Sequence, residues 1–393
     1  MPNQFDVQGN VYGNAADQHK RDVFSSVVKL RPQKFPFISF LSSLPKRKVK
    51  ATQFDLYEMD NFPTRMKLNG TITAATTDVN FMTVDGTSTM SHVTRGDLYK
   101  IDSEIIYCST STGSTATFVR ARGGTTAAGH TSSTYVEFLG SAMPENADAK
   151  PALSIQSAKV YNYVQRFNQT WGVTTTEQAT PHYDGDPMKN NRIAAIDLFK
   201  TGMNNALWHG GRARVASGSY EQTFTGGFFE FATANAYDVS TQSGILTLDQ
   251  LYDIVYEVAE YGSMDKMLFA GKNLWMQIQM WFANQVEIVT KKLEVAGTKD
   301  SLSINVGKLS IGGRSVEIVE EPSFRDQYAG YAAVVDKKHV KLAEFEPMRV
   351  ISDIQDKSSI YIKKDTITST SGLHFENNKA HGVITGVAAT TSI

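Results

Sequence analysis

The densest run of metal-ligand side chains in the chain is His182-Tyr183-Asp184-Gly185-Asp186, three candidates within five residues. Zinc asks for four ligands and calcium for several oxygens, and no second cluster lies beside the run to complete either set. Asp186 also precedes Pro187 at the head of a helical pattern, where a carboxylate caps free amides. Ala270-Gly271-Lys272-Asn273 carries the Gly-Lys pair of a phosphate loop. Lys266, however, stands where the first glycine belongs and Asn273 where the Ser or Thr belongs. The Gly-rich, basic stretch 210–218 follows a helix pattern, whereas a nucleotide loop precedes one. The eight histidines are scattered, with no HExxH and no local Ser/His/Asp set. Cys108 is the single cysteine, so neither an intrachain disulfide nor a thiolate cluster is open to the chain. Its neighbours Glu104-Ile-Ile-Tyr107 make it a small buried strand residue. The acidic pairs Glu320-Glu321 and Glu344/Glu346 flank strand patterns and are expected to be solvated. Trp171, Trp208, Trp275 and Trp281 sit at core-like spacings. These residues define no catalytic centre, and no cofactor or metal is expected.

Charge is more informative than chemistry. The formal net charge is −1, and charged residues make up 20% of the chain, which argues against a dedicated nucleic-acid binder. Yet between His19 and Lys50 there are nine basic residues, Lys20, Arg21, Lys29, Arg31, Lys34, Lys46, Arg47, Lys48 and Lys50, against one acid, Asp22. Such a segment suits contact with phosphate or an acidic partner surface, and equally a solvated basic arm. Inside it, Phe35, Phe37, Phe40, Leu41 and Leu44 need a surface to lie on, in the same subunit or another. There is no basic-then-apolar leader and no run of 18 apolar residues. A soluble protein made in a cytoplasm without export is expected.

The elements that hold these residues fall into a clear order. Residues 1–50 read as an extended arm punctuated by Pro32, Pro36 and Pro45. Segments 51–80 and 137–185 alternate apolar and polar residues, the period of half-exposed strands. They are expected to pair as a long hairpin that carries aromatics at Tyr161, Tyr163, Phe167 and Trp171. Between them, 81–136 holds short strands ("DLYKI", "EIIYC", "TATFVR", "TYVEFL") separated by Gly/Ser/Thr turns, the pattern of a small barrel or sandwich. From 186 a helix of about 22 residues is predicted, roughly 33 Å long. It has Asp186 as cap, Pro187 in its first turn, a stripe of Ile196, Phe199, Met203 and Leu207, and a Gly210-Gly211 stop. A compact α/β region follows, with a capping box at Thr247/Gln250 and helices near 247–262 and 272–286 around a buried strand. The fold class is α+β.

This layout, a basic arm, long β-hairpin, long helix, compact α/β domain and returning strand, resembles the major capsid protein of tailed bacteriophages, the Hong Kong 97 fold. The stretch 223–262 is similar to that family's passage into its axial domain. The run Asn378-Lys379-Ala380-His381 before the last strand is similar to its closing segment. Gly96, Asp97, Glu104, Arg122, Gly123, Gly124 and Thr125 resemble a β-module found in a subset of phage capsid proteins.

The resemblance implies a division into an N-arm (1–50), an extended loop (51–80 and 137–185), an inserted β-module (81–136), a peripheral domain with spine helix (186–245), an axial domain (246–345) and return strands to the peripheral domain (346–393). It implies self-assembly into hexamers and pentamers of an icosahedral or prolate shell around double-stranded DNA, touched weakly. Portal, scaffold and decoration proteins are the implied partners, and assembly takes place in the bacterial cytoplasm. Inter-subunit or DNA-facing positions would be the nine basic residues, the arm phenylalanines 35, 37 and 40, and the hairpin aromatics 161, 163, 167 and 171. The hairpin aromatics would anchor it on a neighbour's spine helix. Two other readings differ in kind: an adhesin whose β-insert binds carbohydrate or protein, and an enzyme whose dispersed His and carboxylate groups converge in a pocket; an encapsulin-like cellular compartment would share the fold.

Overall fold

The computed structural model describes residues 35–59, 62–83, 90–145, 148–150, 152, 154, 156–182, 185–218, 220–282, 306–311, 314–354 and 361–389. The chain divides into two units, Tyr57–Lys159 being inserted in sequence between Leu56 and Val160 of the other.

The larger unit is built on two sheets. A four-stranded sheet runs in the order Arg47–Lys48, Val340–Ile351, Ile362–Phe375, Gln165–Thr174. Its long antiparallel pair is in unbroken register from Gln165 opposite Ser371 to Thr174 opposite Ile362. Helix Pro187–His209 packs over this sheet. The Asp186 carboxylate accepts from the Met188 amide at 2.9 Å and Pro187 occupies the first turn, as the sequence predicts. Phe199, Met203 and Leu207 are buried with Ala195 and Trp208, while Ile196 is only partly so. The helix ends as the backbone turns extended at Gly210, where a Cβ would collide with the Ala206 and Thr225 carbonyl oxygens.

The second sheet has six strands, ordered Ala236–Asp238, Gly382–Thr385, Ala332–Asp336, Asp265–Ala270, Arg314–Glu320, Val306–Ile311, with parallel and antiparallel pairs mixed. Successive strand residues face opposite sides, and both sides are covered. Met267, Phe269, Ala333, Val335 and Val383 join the core under the long helix. Leu268, Ala270, Val316, Val334 and Ile384 pack against helices Leu248–Glu260 and Lys272–Phe282. The capping box at Thr247/Gln250 is present, with both reciprocal bonds made.

The smaller unit is one antiparallel sheet ordered Phe81–Met82, Arg65–Leu68, Tyr135–Ser141, Asp97–Ile101, Glu104–Ser111, Ala116–Arg122. Met66, Leu68, Phe81, Tyr99, Ile106, Cys108, Phe118 and Val136 fill its core. Its two edges meet through one segment: Phe118 donates to Thr77 O and Val79 to Ala116 O, while Phe81 pairs with Leu68.

The strands distribute differently from the expected segments in three places. Arg65–Leu68, expected on the hairpin, lies beside Tyr135–Ser141 in the small unit's sheet, because Met66, Leu68 and Val136 face its core. Of the expected hairpin, Gln53–Glu58 and Ala158–Tyr163 pair among the described residues as a two-stranded sheet of their own. Gly382–Thr385, expected to return to the peripheral region, enters the six-stranded sheet. Val340–Ile351, most of its first half expected in the axial domain, lies in the four-stranded one. Alternation identifies a strand but not which sheet it joins.

Candidate assembly surfaces and the polar clusters

Of the basic arm positions, Lys20, Arg21, Lys29, Arg31 and Lys34 lie outside the described residues. The remaining four sit on the segment that adds Arg47–Lys48 as a short parallel strand beside Ala343–Glu344. Lys46 pairs with Glu344 at 2.9 Å. Arg47 donates to His374 Nδ1 at 2.8 Å and stacks over Phe54. That bond leaves Nε2–H of His374 to donate to Glu376 at 2.6 Å, so the ring is the neutral tautomer. Burial, against the pull of Glu376, holds the His374 titration below its usual value. Lys48 and Lys50 are exposed.

The arm aromatics are claimed by their own chain. Phe35 precedes helix Pro36–Ser43 and is partly buried. Phe37 stacks on Trp208 with ring centroids 3.9 Å apart and meets Phe269 edge-on, as does Phe40. The expectation of an inter-subunit role for Phe37 and Phe40 therefore gives way: both rings are spent in this subunit's core. The hairpin aromatics divide in the same manner. Between Tyr163 and Gln165 the strand breaks at Val164, whose amide donates to Thr52 O and whose carbonyl accepts from Thr223. Before the break Asn162 and Val164 point inward, so Tyr161 and Tyr163 are half-exposed, their rings 5.8 Å apart, with Arg212 over Tyr161. After it the phase reverses, and Phe167 and Trp171 are buried beneath the long helix. Those two are core residues of their own chain and are not free to anchor a neighbour.

Composition alone did not mark where apolar side chains stay exposed. The far end of the long β-ribbon shows Phe345, Met348, Val350, Ile351 and Tyr361 to solvent, and the long helix shows Ile193 and Leu198. The burial of Val340–Ile351 falls away along its length. Phe345, Met348, Val350, Ile351 and Ile354, set among charged residues, were the available signal.

The motif residues form structural polar clusters. Asn378 Oδ1 accepts from the Thr233 and Ala234 amides, and Asn235 Nδ2 donates to the Lys379 and His381 carbonyls. Lys266 and Asp336, both wholly buried, pair at 2.7 Å, and Lys266 also donates to Ala380 O. Burial alone would raise the Asp336 carboxyl, but Lys266 and the Lys338 and Ser263 amides outweigh it and hold it down to about 2. His381 accepts from the Asp336 amide on Nδ1, and burial, with the Lys266 charge nearby, takes it down to about 3. It is a neutral core histidine. In the small unit, Glu104 is fully buried and gripped by a two-pronged Arg120 (2.7 and 2.6 Å), the Ala121 and Ala128 amides and His130. Thr125 Oγ1 accepts from the Ile105 amide and donates to Arg122 O across the left-handed Gly123-Gly124 turn. Arg120, not singled out in the sequence, is the cation of this cluster.

Among the described residues no group of three His, Cys, Asp or Glu side chains could hold a metal. Of the His182 run, Asp184 lies outside the described residues, and His182 bonds to the Glu177 carbonyl. No helix of the described residues is long and apolar enough to cross a membrane. The family model described as SU10 major capsid protein matches residues 2–388. No curated protein matches. Among solved structures, a chain of Mycobacterium phage Ogopogo is similar at 10% identity, covering 95% of this chain and 99% of that one, with a TM-score of 0.51. A capsid chain of a native GTA particle (11% identity, 98% and 100% covered, TM-score 0.49) and the capsid of Myoviridae phage XM1 (9%, 96% and 100%, 0.47) are more distant in shape.

Proposed function

The chain belongs to the SU10 major capsid protein family and is a structural protein of a tailed-phage capsid shell; from that premise we propose how its parts divide the work. Copies assemble as hexamers and pentamers around double-stranded DNA. The long helix Pro187–His209 serves as the spine of a peripheral domain that includes the four-stranded sheet. The six-stranded sheet with its two covering helices serves as the axial domain. Tyr57–Lys159 serves as a barrel-like insertion in the extended loop, offering a surface to a neighbour or a decoration protein. The whole-chain charge of −1 suits weak contact with the packaged DNA. Lys48 and Lys50, with Lys20, Arg21, Lys29, Arg31 and Lys34 upstream, are the proposed contacts to phosphate or to an acidic face of another copy. Lys46 and Arg47 instead fasten the arm to its own sheet. Tyr161 and Tyr163 and the exposed ribbon end from Phe345 to Tyr361 are the proposed contacts between copies, since large apolar side chains gathered in one place on a surface mark an interface. Portal and scaffold proteins are proposed partners, and assembly is proposed to take place in the host cytoplasm.

The match of the family over nearly the entire chain carries this reading. Its test is to express the chain alone and with the phage's other head proteins, size the product by light scattering and image it in negative stain. Closed particles, or rings of five and six, are expected. A monodisperse monomer under both conditions would overturn it.

A further inference from the structure

Glu321 follows strand Arg314–Glu320 and was expected in solvent, but it is wholly buried. Its oxygen Oε1 accepts from the Ser323 hydroxyl at 2.6 Å, the Ser323 amide at 3.3 Å and Asn204 Nδ2 of the long helix at 3.3 Å. The Phe37 amide of the arm helix lies close to the carboxyl and favours its ionised form. Among the described residues Oε2 has no donor, and neither does Asn204 Oδ1, although Asn204 is wholly buried too. A carboxylate oxygen and an amide oxygen are both pure acceptors, so an ionised Glu321 leaves two buried lone-pair sites unserved.

One proton removes both defects. Asn204 Nδ2 already donates to Oε1, and a proton on Oε2 would supply the donor that Asn204 Oδ1 lacks, closing a two-bond ring. We propose that Glu321 is held as the neutral acid in an acid–amide pair with Asn204, and that the pair is a pH-sensitive latch joining the arm helix, the long helix and the end of a sheet strand.

No charged group among the described residues bonds to this carboxyl. Its hydrogen-bond partners are Asn204 on the long helix and Ser323 in the following loop, with the Phe37 amide of the arm helix close by. Arg325 and Asp326 of the loop are exposed, and the His209 ring of the long helix stacks on Tyr328 and Phe229. Burial accordingly raises the carboxyl's titration above the ordinary range despite these neutral donors. Asn204 and Ser323 also line a cleft of about 430 Å³ with Thr201, Tyr328 and the charged Arg325 and Asp326. The cleft brings solvent to the Asn204 and Ser323 side of the pair, while the Glu321 carboxyl itself stays buried behind them. A group raised in the folded state stabilises fully below its unfolded value, near 4.5, and loses that contribution as pH climbs through the folded one. The latch is closed in acid and released in base.

The test is infrared spectroscopy of the full chain labelled with ¹³C-glutamate, across a pH series, beside Glu321→Gln and Glu321→Ala. A protonated-carboxyl carbonyl band that moves with the label, fades as pH rises and is missing from Glu321→Gln is expected. Glu321→Gln, which keeps a donor for Asn204 Oδ1, should melt with the wild type at neutral pH and lose less stability in base, whereas Glu321→Ala should melt lower throughout. If the wild type shows no such band, Glu321 is ionised and hydrated through the cleft, and the latch is overturned. A Glu321→Gln melt as low as that of Glu321→Ala would overturn it as well. The band is read on the unsubstituted protein, so the test survives a variant that does not fold.

Discussion

Glu104 and Glu321 are both wholly buried glutamates, and they are driven in opposite directions. Burial acts on each in the same sense, raising the cost of the charged form. Around Glu104 it is outweighed by the two-pronged Arg120, by the Ala128 and Ala121 amides and by His130, and the carboxyl is held down to about 2. Around Glu321 the donors are neutral, they crowd one oxygen, and burial prevails. Burial alone therefore does not say whether a carboxyl carries its charge; the charge and placement of its donors decide. In the β-unit the buried ion knots four loops and strands. In the larger unit the neutral acid is proposed as a joint that can release.

The largest effect should come from removing the cation on one side of this comparison. Arg120→Met strands the Glu104 carboxylate without its counter-charge, and about 3–5 kcal/mol of stability should be lost, as for other broken buried pairs. Chemical denaturation followed by tryptophan-free probes of the β-unit, such as its tyrosine fluorescence, would read it. A loss under one kcal/mol would mean that the amides alone hold the charge. Next comes the acid limb. Glu104 stabilises above the ordinary carboxylate value near 4.5, and that contribution drains away as pH falls toward 2. Melting of the wild type should fall over this window and that of Glu104→Gln should fall less; parallel curves would assign the acid loss to other groups. The smallest effect sets the baseline. Lys48→Glu and Lys50→Glu, at exposed positions, should change stability by no more than about 0.5 kcal/mol. Any defect they cause should then appear in particle assembly measured by light scattering, and a large shift in melting would show that these lysines are structural after all.

Much of the larger unit was legible because its signals are local. A cap, a proline in the first turn and a stripe at spacings of three and four mark helix Pro187–His209. The Thr247/Gln250 box marks the next helix start, and alternation marks the strands. Site residues were less legible. Phe37 and Tyr161 belong to equally aromatic stretches, yet Phe37 lies against Trp208 and Tyr161 remains half-exposed. The reversal of phase at Val164 that separates Tyr163 from Phe167 depends on bonds to Thr52 and Thr223, more than fifty residues away on either side. The acidic pair Glu320-Glu321 reads as solvated because adjacent charges usually are, but at a strand's end one of two neighbours must turn inward.

The sequence by itself determined which segments are helix and strand, the caps that start them, and the order of parts that resembles a capsid subunit. These depend on contacts within a turn or two of chain, or on the order of elements, and both are written in one dimension. Only the tertiary structure decided that Met66 and Leu68 belong to the β-unit, that Phe37 and Phe40 of the arm close their own subunit's core, and that Arg120 answers Glu104 while no cation among the described residues answers Glu321. Those outcomes turn on which distant groups meet in a place without water, where one donor more or less determines the charge a side chain can keep.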